Sequence, residues 1–285
     1  MRIVLLGGLL AAIAVFAGML AACAFISGSP KGIDLEERVQ VDGAQLYLMV
    51  RGDQAGASVL LWLHGGPGGA ERPLFRMYNS ALEHCFVVAY LDQRGTGRSF
   101  DSNADPRRLT IAQHLADLDI VVDLLRREHH QEKIILLGHS WGTALGLLYT
   151  QAHPEKVAAF IGAGQVTSEL ARQRSQYEFV EQEAAQRHDK DVLTRLAAIG
   201  PPPFSAKREI ATQRLVENYG GYYRKQPSFT LLAVRLVLSG YVTPWEIGRL
   251  LKGNWVSLEA MNDEILQINL PKTVPTVRVP VTASA

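Results

Sequence analysis

The chain has 285 residues, 47% of them hydrophobic and 20% charged, enough to bury the core of one large α/β domain or two small ones. Its formal net charge is +1 and no basic run exceeds a pair, which excludes the electrostatic footprint of a nucleic-acid binder or a polybasic tail. The two cysteines, Cys23 and Cys85, offer no disulfide in a processed chain, and no CxxC or His/Cys metal spacing occurs, so neither a metal nor a cofactor is expected.

From Ile3 to Ile26 the chain is apolar and uncharged, preceded only by the cation of Arg2. This run is long enough to span a bilayer, and its small-residue end also suits a secretory signal peptide. Residues 1–26 are therefore expected to direct the protein to a membrane of the cell envelope, with the remainder outside the cytoplasm. Leu20-Ala21-Ala22-Cys23 resembles a bacterial lipobox, so an uncleaved helix and a lipidated Cys23 both stay open. SGSPKG, residues 27–32, reads as a short flexible linker, and the globular part begins near Ile33.

QLYLMVRG, SVLLWLHGG and HCFVVAYLDQRG read as strands, with a helical stretch over Pro73 to Glu83 between the last two. Thr110 to Arg127 places Ile111, Leu115, Leu118, Val122 and Leu125 on one face of a helix, with Thr110 and Gln113 set as a capping box. KIILLG, TALGLLYTQAH and KVAAFIGAG continue as strand, helix, strand, the alternation of a largely parallel sheet covered on both faces. The fold class is α/β, with its core over residues 33–165. Residues 166–270 change character to charged helices without an obvious strand, an insertion expected to cap a site, and residues 271–285 return to the core through TVRVPV.

Gly138-His139-Ser140-Trp141-Gly142 matches G-x-S-x-G between the strand KIILL and the helix ALGLLYTQ. That setting makes Ser140 a candidate nucleophile on a sharp strand-to-helix turn, with the helix directing its first amides at a developing oxyanion. His64-Gly65-Gly66-Pro67-Gly68-Gly69 follows the strand VLLWL, and Gly66 is the candidate for a second backbone N–H donor. A simple Gly-rich turn is the alternative there; a phosphate loop would need a Gly-Lys-Ser/Thr ending that is absent.

HGGPGG, DQRGTGRS at Asp92 to Ser99, and GHSWG together resemble the proline iminopeptidase family of α/β-hydrolases, over residues from about 34 to 281. The resemblance implies a mostly parallel sheet with an inserted helical cap, and a serine hydrolase that releases N-terminal residues from small peptides or cleaves small amides and esters through an acyl-enzyme. It adds Trp141 as the N–H donor next to Ser140, and implies that acidic cap side chains bind the substrate's amino terminus, for which Glu178, Glu181, Glu183 and Glu246 are available. DQRG reads as a structural brace.

In this fold the triad runs in the order Ser, Asp/Glu, His. By resemblance, relatives reach both acid and base beyond a strand like VRVPV, whereas here VPV is followed by TASA. The expectation is a C-terminally truncated hydrolase lacking its last strands and helices, with no triad acid or base and with KVAAFIGAG near an unfinished sheet edge. After Ser140 only His153 and His188 remain; His153 ends the helix that starts at the serine, roughly 18 Å away at 1.5 Å per residue. The alternative to an active hydrolase is thus an inactive or ligand-binding remnant. In either case the expected partners are a small molecule or short peptide and, through the N-terminal segment, a membrane.

Overall fold

The computed structural model describes residues 32–221 and 229–284. Residues 1–26, expected to direct the protein to a membrane, lie outside the described residues, as does the linker up to Lys31. Among the described residues no helix is long and apolar enough to cross a membrane.

Strands β1 (Ile33–Val41), β2 (Ala44–Gly52), β3 (Val59–Leu63), β4 (Val87–Asp92), β5 (Ile134–His139), β6 (Val157–Ala163) and β7 (Val281–Ser284) form one seven-stranded sheet in the order β1-β2-β4-β3-β5-β6-β7. β1 and β2 pair antiparallel, as do β2 and β4; every pairing among β3 to β7 is parallel. The unbroken apolar runs of β3 and β4 follow from burial on both faces. Leu61, Leu63, Val87, Ala89 and Leu91 enter the larger core cluster, while Leu60, Trp62, Val88 and Tyr90 point to the opposite one. Helix α1 (Arg72–Asn79) covers the second face, where Phe75 stacks on Trp62 with centroids 3.8 Å apart. Helices α2 (Ile111–Glu128) and α3 (Trp141–Ala152) cover the first, through residues such as Leu118, Val122 and Tyr149.

Three local features depart from expectation. β1 was not anticipated, because Asp34, Glu36 and Glu37 interrupt any apolar pattern; as an edge strand it leaves Asp34 and Glu36 exposed and Glu37 half-buried. The helix expected over Pro73 to Glu83 ends at Asn79 and gives way to a 3-10 turn at Ser80–His84. There Glu83 turns inward to accept from Arg76 Nε at 3.0 Å and the Tyr90 hydroxyl at 2.7 Å. At α2, Thr110 Oγ1 accepts from the Gln113 amide at 3.1 Å, but the Gln113 side chain donates forward to Asp117 Oδ1 at 3.0 Å, so only half of the capping box forms. Asp117 is a buried carboxylate, and the charge-assisted bond to it turns the Gln113 amide away from the Thr110 N–H that it would have to accept from. Thr110→Ala should still cost about 1 kcal/mol through the lost cap. That is readable as a lower urea midpoint at unchanged m.

Between β6 and β7 the chain runs through α4 (Glu169–Gln186), α5 (Lys190–Ile199), α6 (Ala206–Asn218), α7 (Phe229–Leu238), α8 (Pro244–Leu266) and α9 (Leu270–Thr273). Helices α4 to α6 share a small core of their own built on Val180, Ala184, Val192, Leu196 and Leu215. The two stems of this excursion meet: Ser168 bridges Asn269, and the Leu270 amide donates to Thr167 O at 2.8 Å. Met261 and Ile265 of α8 enter the main core, so the excursion is seated on the sheet. β6 has partners on both sides, and β7, with Val281 44% exposed, is the other edge strand among the described residues.

Candidate active site

β5 ends at His139 and α3 begins at Trp141, so the whole strand-to-helix turn is Ser140, held at φ 50° and ψ −118°. A serine there is strained and persists only where its surroundings dictate it. They do so by close approach. A Cβ on Gly138 would sit 2.5 Å from Gly142 O, and one on Gly142 would sit 2.1 Å from Leu63 O, which accounts for both glycines of the motif. The Ser140 amide donates to Ala163 O at 3.0 Å, tying the turn to the end of β6. The Thr143 amide turns back to Ser140 O at 2.8 Å, which leaves the Trp141 and Gly142 amides as the first-turn donors without an intrahelical acceptor.

The Gly-rich loop after β3 lies against this turn, and two side chains join the two segments. Gln93, the second residue of DQRG, donates from Nε2 to His64 O at 3.1 Å and accepts from Trp141 Nε1 at 3.0 Å. Glu71 accepts at Oε2 from the Gly65 amide and from His139 Nδ1, both at 2.8 Å. His64 is fully buried; its Nε2 accepts from the Gln93 amide at 3.1 Å, which leaves Nδ1 as the protonated nitrogen facing Gly65 O at 2.8 Å. Burial pushes its pKa down, so it stays neutral. The rest of DQRGTGRS is bracing. Asp92 accepts from Arg72 Nε at 3.2 Å and the Arg98 amide at 2.8 Å, and Arg94 forms a bidentate pair with Asp117 at 2.7 Å.

Gly66, Ser140 and Trp141, the three candidate site residues, line one cavity of about 120 Å³. Its far wall comes from the insertion, through Glu169, Arg172 and Gln213. Arg172 donates to both Glu169 and Glu209, the latter at 2.6 Å, and Gln213 also donates to Glu209 Oε1 at 2.7 Å. Two carboxylates face one guanidinium. Glu209 is 2% exposed, and its Oε2 has no partner among the described residues. A larger groove of about 820 Å³ opens elsewhere, beside Arg38 and Arg249, and does not include Ser140.

The cap acids singled out in the sequence lie elsewhere. Glu178 and Glu181 are exposed, Glu183 pairs with Arg187, and Glu246 pairs with Arg98 while closing the N-cap of α8. Glu169 lines the cavity, and Glu209 is tied to that wall through Arg172. A signal for Glu169 was present: Glu169, Gln173, Val180 and Ala184 form the buried stripe of α4, so polar residues stand at its inward start. Glu71 carried no comparable signal, being a single acid after a glycine-rich loop.

All eight histidines of the sequence are among the described residues. None donates to or accepts from the Ser140 hydroxyl, which makes no hydrogen bond among those residues. His64 and His139 are engaged as described, His84 pairs with Asp53, and His114 is buried with Nδ1 on Thr110 O. His153 stacks on Tyr149 at the far end of α3, and His188 is exposed beyond α4. Among the described residues no group of three or more His, Cys, Asp or Glu side chains could hold a metal ion.

A mixed seven-stranded sheet with a strained serine between β5 and α3 defines a class, and the sequence matches it: the chain belongs to the alpha/beta hydrolase fold family, which it matches over residues 58–226. It is 29% identical over 258 residues to a probable aminopeptidase, YbaC, of Bacillus subtilis, covering 88% of this chain and 79% of that protein. Over 130 residues it is 34% identical to a probable proline iminopeptidase of Streptomyces coelicolor, covering 46% of this chain and 39% of that protein. Among solved structures, the proline iminopeptidase of Mycobacterium smegmatis superposes with a TM-score of 0.62 at 17% identity, covering 87% of this chain and 80% of that one. A Vigna radiata epoxide hydrolase variant gives 0.53 at 22% identity, covering 88% and 80%. These structural likenesses concern the fold.

Proposed function

We propose that the cavity binds small N-terminal-aminoacyl amides or esters and that Ser140 is the nucleophile for their hydrolysis through an acyl-enzyme. In this reading the backbone N–H groups of Gly66 and Trp141 hold the oxyanion. The observation that carries the reading is the convergence on one cavity of Ser140 at φ 50°, the first turn of α3 and the Gly-rich loop. Ser140 Oγ would attack the acyl carbon while its proton passes to a base, and that base would return a proton to the leaving amine before water releases the acyl group. The cavity's size, about 120 Å³, suits one small residue, well below the roughly 300–1,000 Å³ of drug-sized pockets. Glu169 and Arg172 stand on its wall, and Arg172 is also paired with the buried Glu209, so the cluster of two carboxylates and one guanidinium is net negative and favours a cationic amino terminus. Relatives named as an aminopeptidase and a proline iminopeptidase point the same way.

The Ser140 hydroxyl, unbonded among the described residues, favours a second reading, in which the site holds such ligands without turning them over. An external base separates the two. Added imidazole is expected to speed hydrolysis of an alanyl or prolyl aryl amide on the order of tenfold or more in the unmodified chain, while Ser140→Ala stays at the solution background. Equal stimulation of both chains would overturn the assignment of Ser140. No stimulation in either, together with measurable ligand binding, would establish the second reading.

A further inference from the structure

Gln93 and Glu71 join the same two segments, the Gly-rich loop and the Ser140 turn, but they do so with different chemistry. Gln93 is a neutral amide whose bonds do not depend on pH. Glu71 is a carboxylate, and it concentrates its contacts on one oxygen: Oε2 takes both the Gly65 amide and the His139 ring N–H. Gly65 is pressed into this junction, since a Cβ there would lie 2.9 Å from Glu71 Oε1, 3.1 Å from His139 Nδ1 and 3.2 Å from the Ser140 Cβ. The residue that precedes Gly66 is thus placed by Glu71, and the residue that precedes Ser140 is held by the same atom.

We propose that Glu71 is a positioning residue: its carboxylate locks the Gly-rich loop to the serine turn, so that the placement of the Gly65-Gly66 amides against Ser140 follows the protonation of the Glu71–His139 pair. The functional weight of this proposal rests on the reading of that loop as the oxyanion-binding loop. The proposed coupling rests on the geometry alone.

Burial by itself would raise Glu71, yet the hydrogen bond from His139, the imidazole's charge and the Gly65 amide together bring it below the ordinary carboxylate value of 4.5. Burial likewise works to lower His139, but the hydrogen bond and charge of Glu71 outweigh it and raise the imidazole above 6.5. The signs fix a window. The raised imidazole contributes fully below 6.5 and loses its contribution as pH rises through its folded value, whereas the depressed carboxylate contributes fully above 4.5 and loses its contribution as pH falls through its own. The pair is therefore complete between those values. The other titratable group facing it is His64, whose pKa burial pushes below 6.5, and beyond His64 lies Asp92, held by Arg72. Trp62 stacks on the His139 ring with centroids 6.1 Å apart and Gly164 lies near its other edge; neither brings a charge.

The test is a pH titration of the isotope-labelled full chain by NMR, following the His139 ring and the Gly65 and Gly66 amides. The His139 midpoint should lie above 6.5, and the Gly65 amide should shift with the same midpoint. In Glu71→Gln, which keeps the shape and one acceptor oxygen, the His139 midpoint should drop below 6.5 and the Gly65 amide should cease to follow it. A Gly65 amide that ignores the His139 titration in the unmodified chain, or a midpoint unmoved by Glu71→Gln, would overturn the proposal. The first measurement needs no variant, so a Glu71→Gln chain that failed to fold would leave it decisive. Ser140→Ala should leave the coupled titration intact, so failure of the hydrolase reading and failure of this one are told apart.

Discussion

Purified as the 285-residue chain, the protein is expected to hydrolyse aminoacyl amides at nearly the same slow rate as its Ser140→Ala variant when no external base is added. A serine hydroxyl is a poor nucleophile until an adjacent base takes its proton, and the same base must protonate the leaving amine. Every histidine in the chain has a described position, and none is hydrogen bonded to Ser140 Oγ. The nearest imidazoles are committed: His139 to Glu71, and His64, neutral and buried, to the Gln93 amide and Gly65. In an otherwise intact serine protease, removing the histidine costs on the order of a millionfold in turnover. An oxyanion hole and a binding cleft alone leave roughly a thousandfold over water, and that remainder would hardly notice the loss of Ser140. The assay compares the two chains with an aryl amide substrate and a serine-reactive fluorophosphonate. Rapid turnover and labelling that disappear in Ser140→Ala would mean that a side chain swings to the serine in the complex.

Asp117→Ala should be the most damaging single change to the braces beneath the site. Arg94 and Asp117 are 5% and 3% exposed and meet through two bonds of 2.7 Å, with Arg94 also donating to Asp42 O at 2.8 Å. Taking away the carboxylate leaves a buried guanidinium without its counter-charge, a change that typically costs about 3–5 kcal/mol. Against a total stability of roughly 5–15 kcal/mol, that is enough to unfold a sizeable fraction of the protein on mild heating. Urea unfolding of both chains measures it. Asp117→Asn, which keeps one acceptor, should lose less. A cost for Asp117→Ala below about 1 kcal/mol, the range of an exposed pair, would show that Arg94 finds water when its partner is removed.

The alternating strands and helices from β3 to β6 were legible because a parallel sheet buries both faces of each strand, and the runs VLLWL, VVAYLD and IILLGH show it directly. β1 was not, since an edge strand needs no apolar pattern along its outer length. Of the site, the serine turn and the Gly-rich loop could be read because their glycines answer to backbone crowding, which spacing records. The contacts between them could not. Glu71 lies 68 residues from His139 and Gln93 lies 48 from Trp141, and nothing local marks either as a partner. The cap acids stayed undecided for a related reason: a charged helix shows many acids, and only the packing of α4 and α6 decides that Glu169 lines the cavity, with Glu209 tied to it through Arg172, while Glu178 and Glu181 stay exposed.

The meeting of Thr167-Ser168 with Asn269-Leu270 gives the insertion the topology of a loop closed at its neck. The entropic cost of closing a loop grows only as the logarithm of its length, about 0.6 kcal/mol for each doubling. Lengthening, shortening or exchanging everything beyond that neck is therefore a small perturbation to the sheet, provided the replacement brings an apolar patch where Met261 and Ile265 now sit. The floor around Ser140 and the wall brought by the insertion can then diverge at different speeds, one constrained by backbone crowding, the other free to be rewritten.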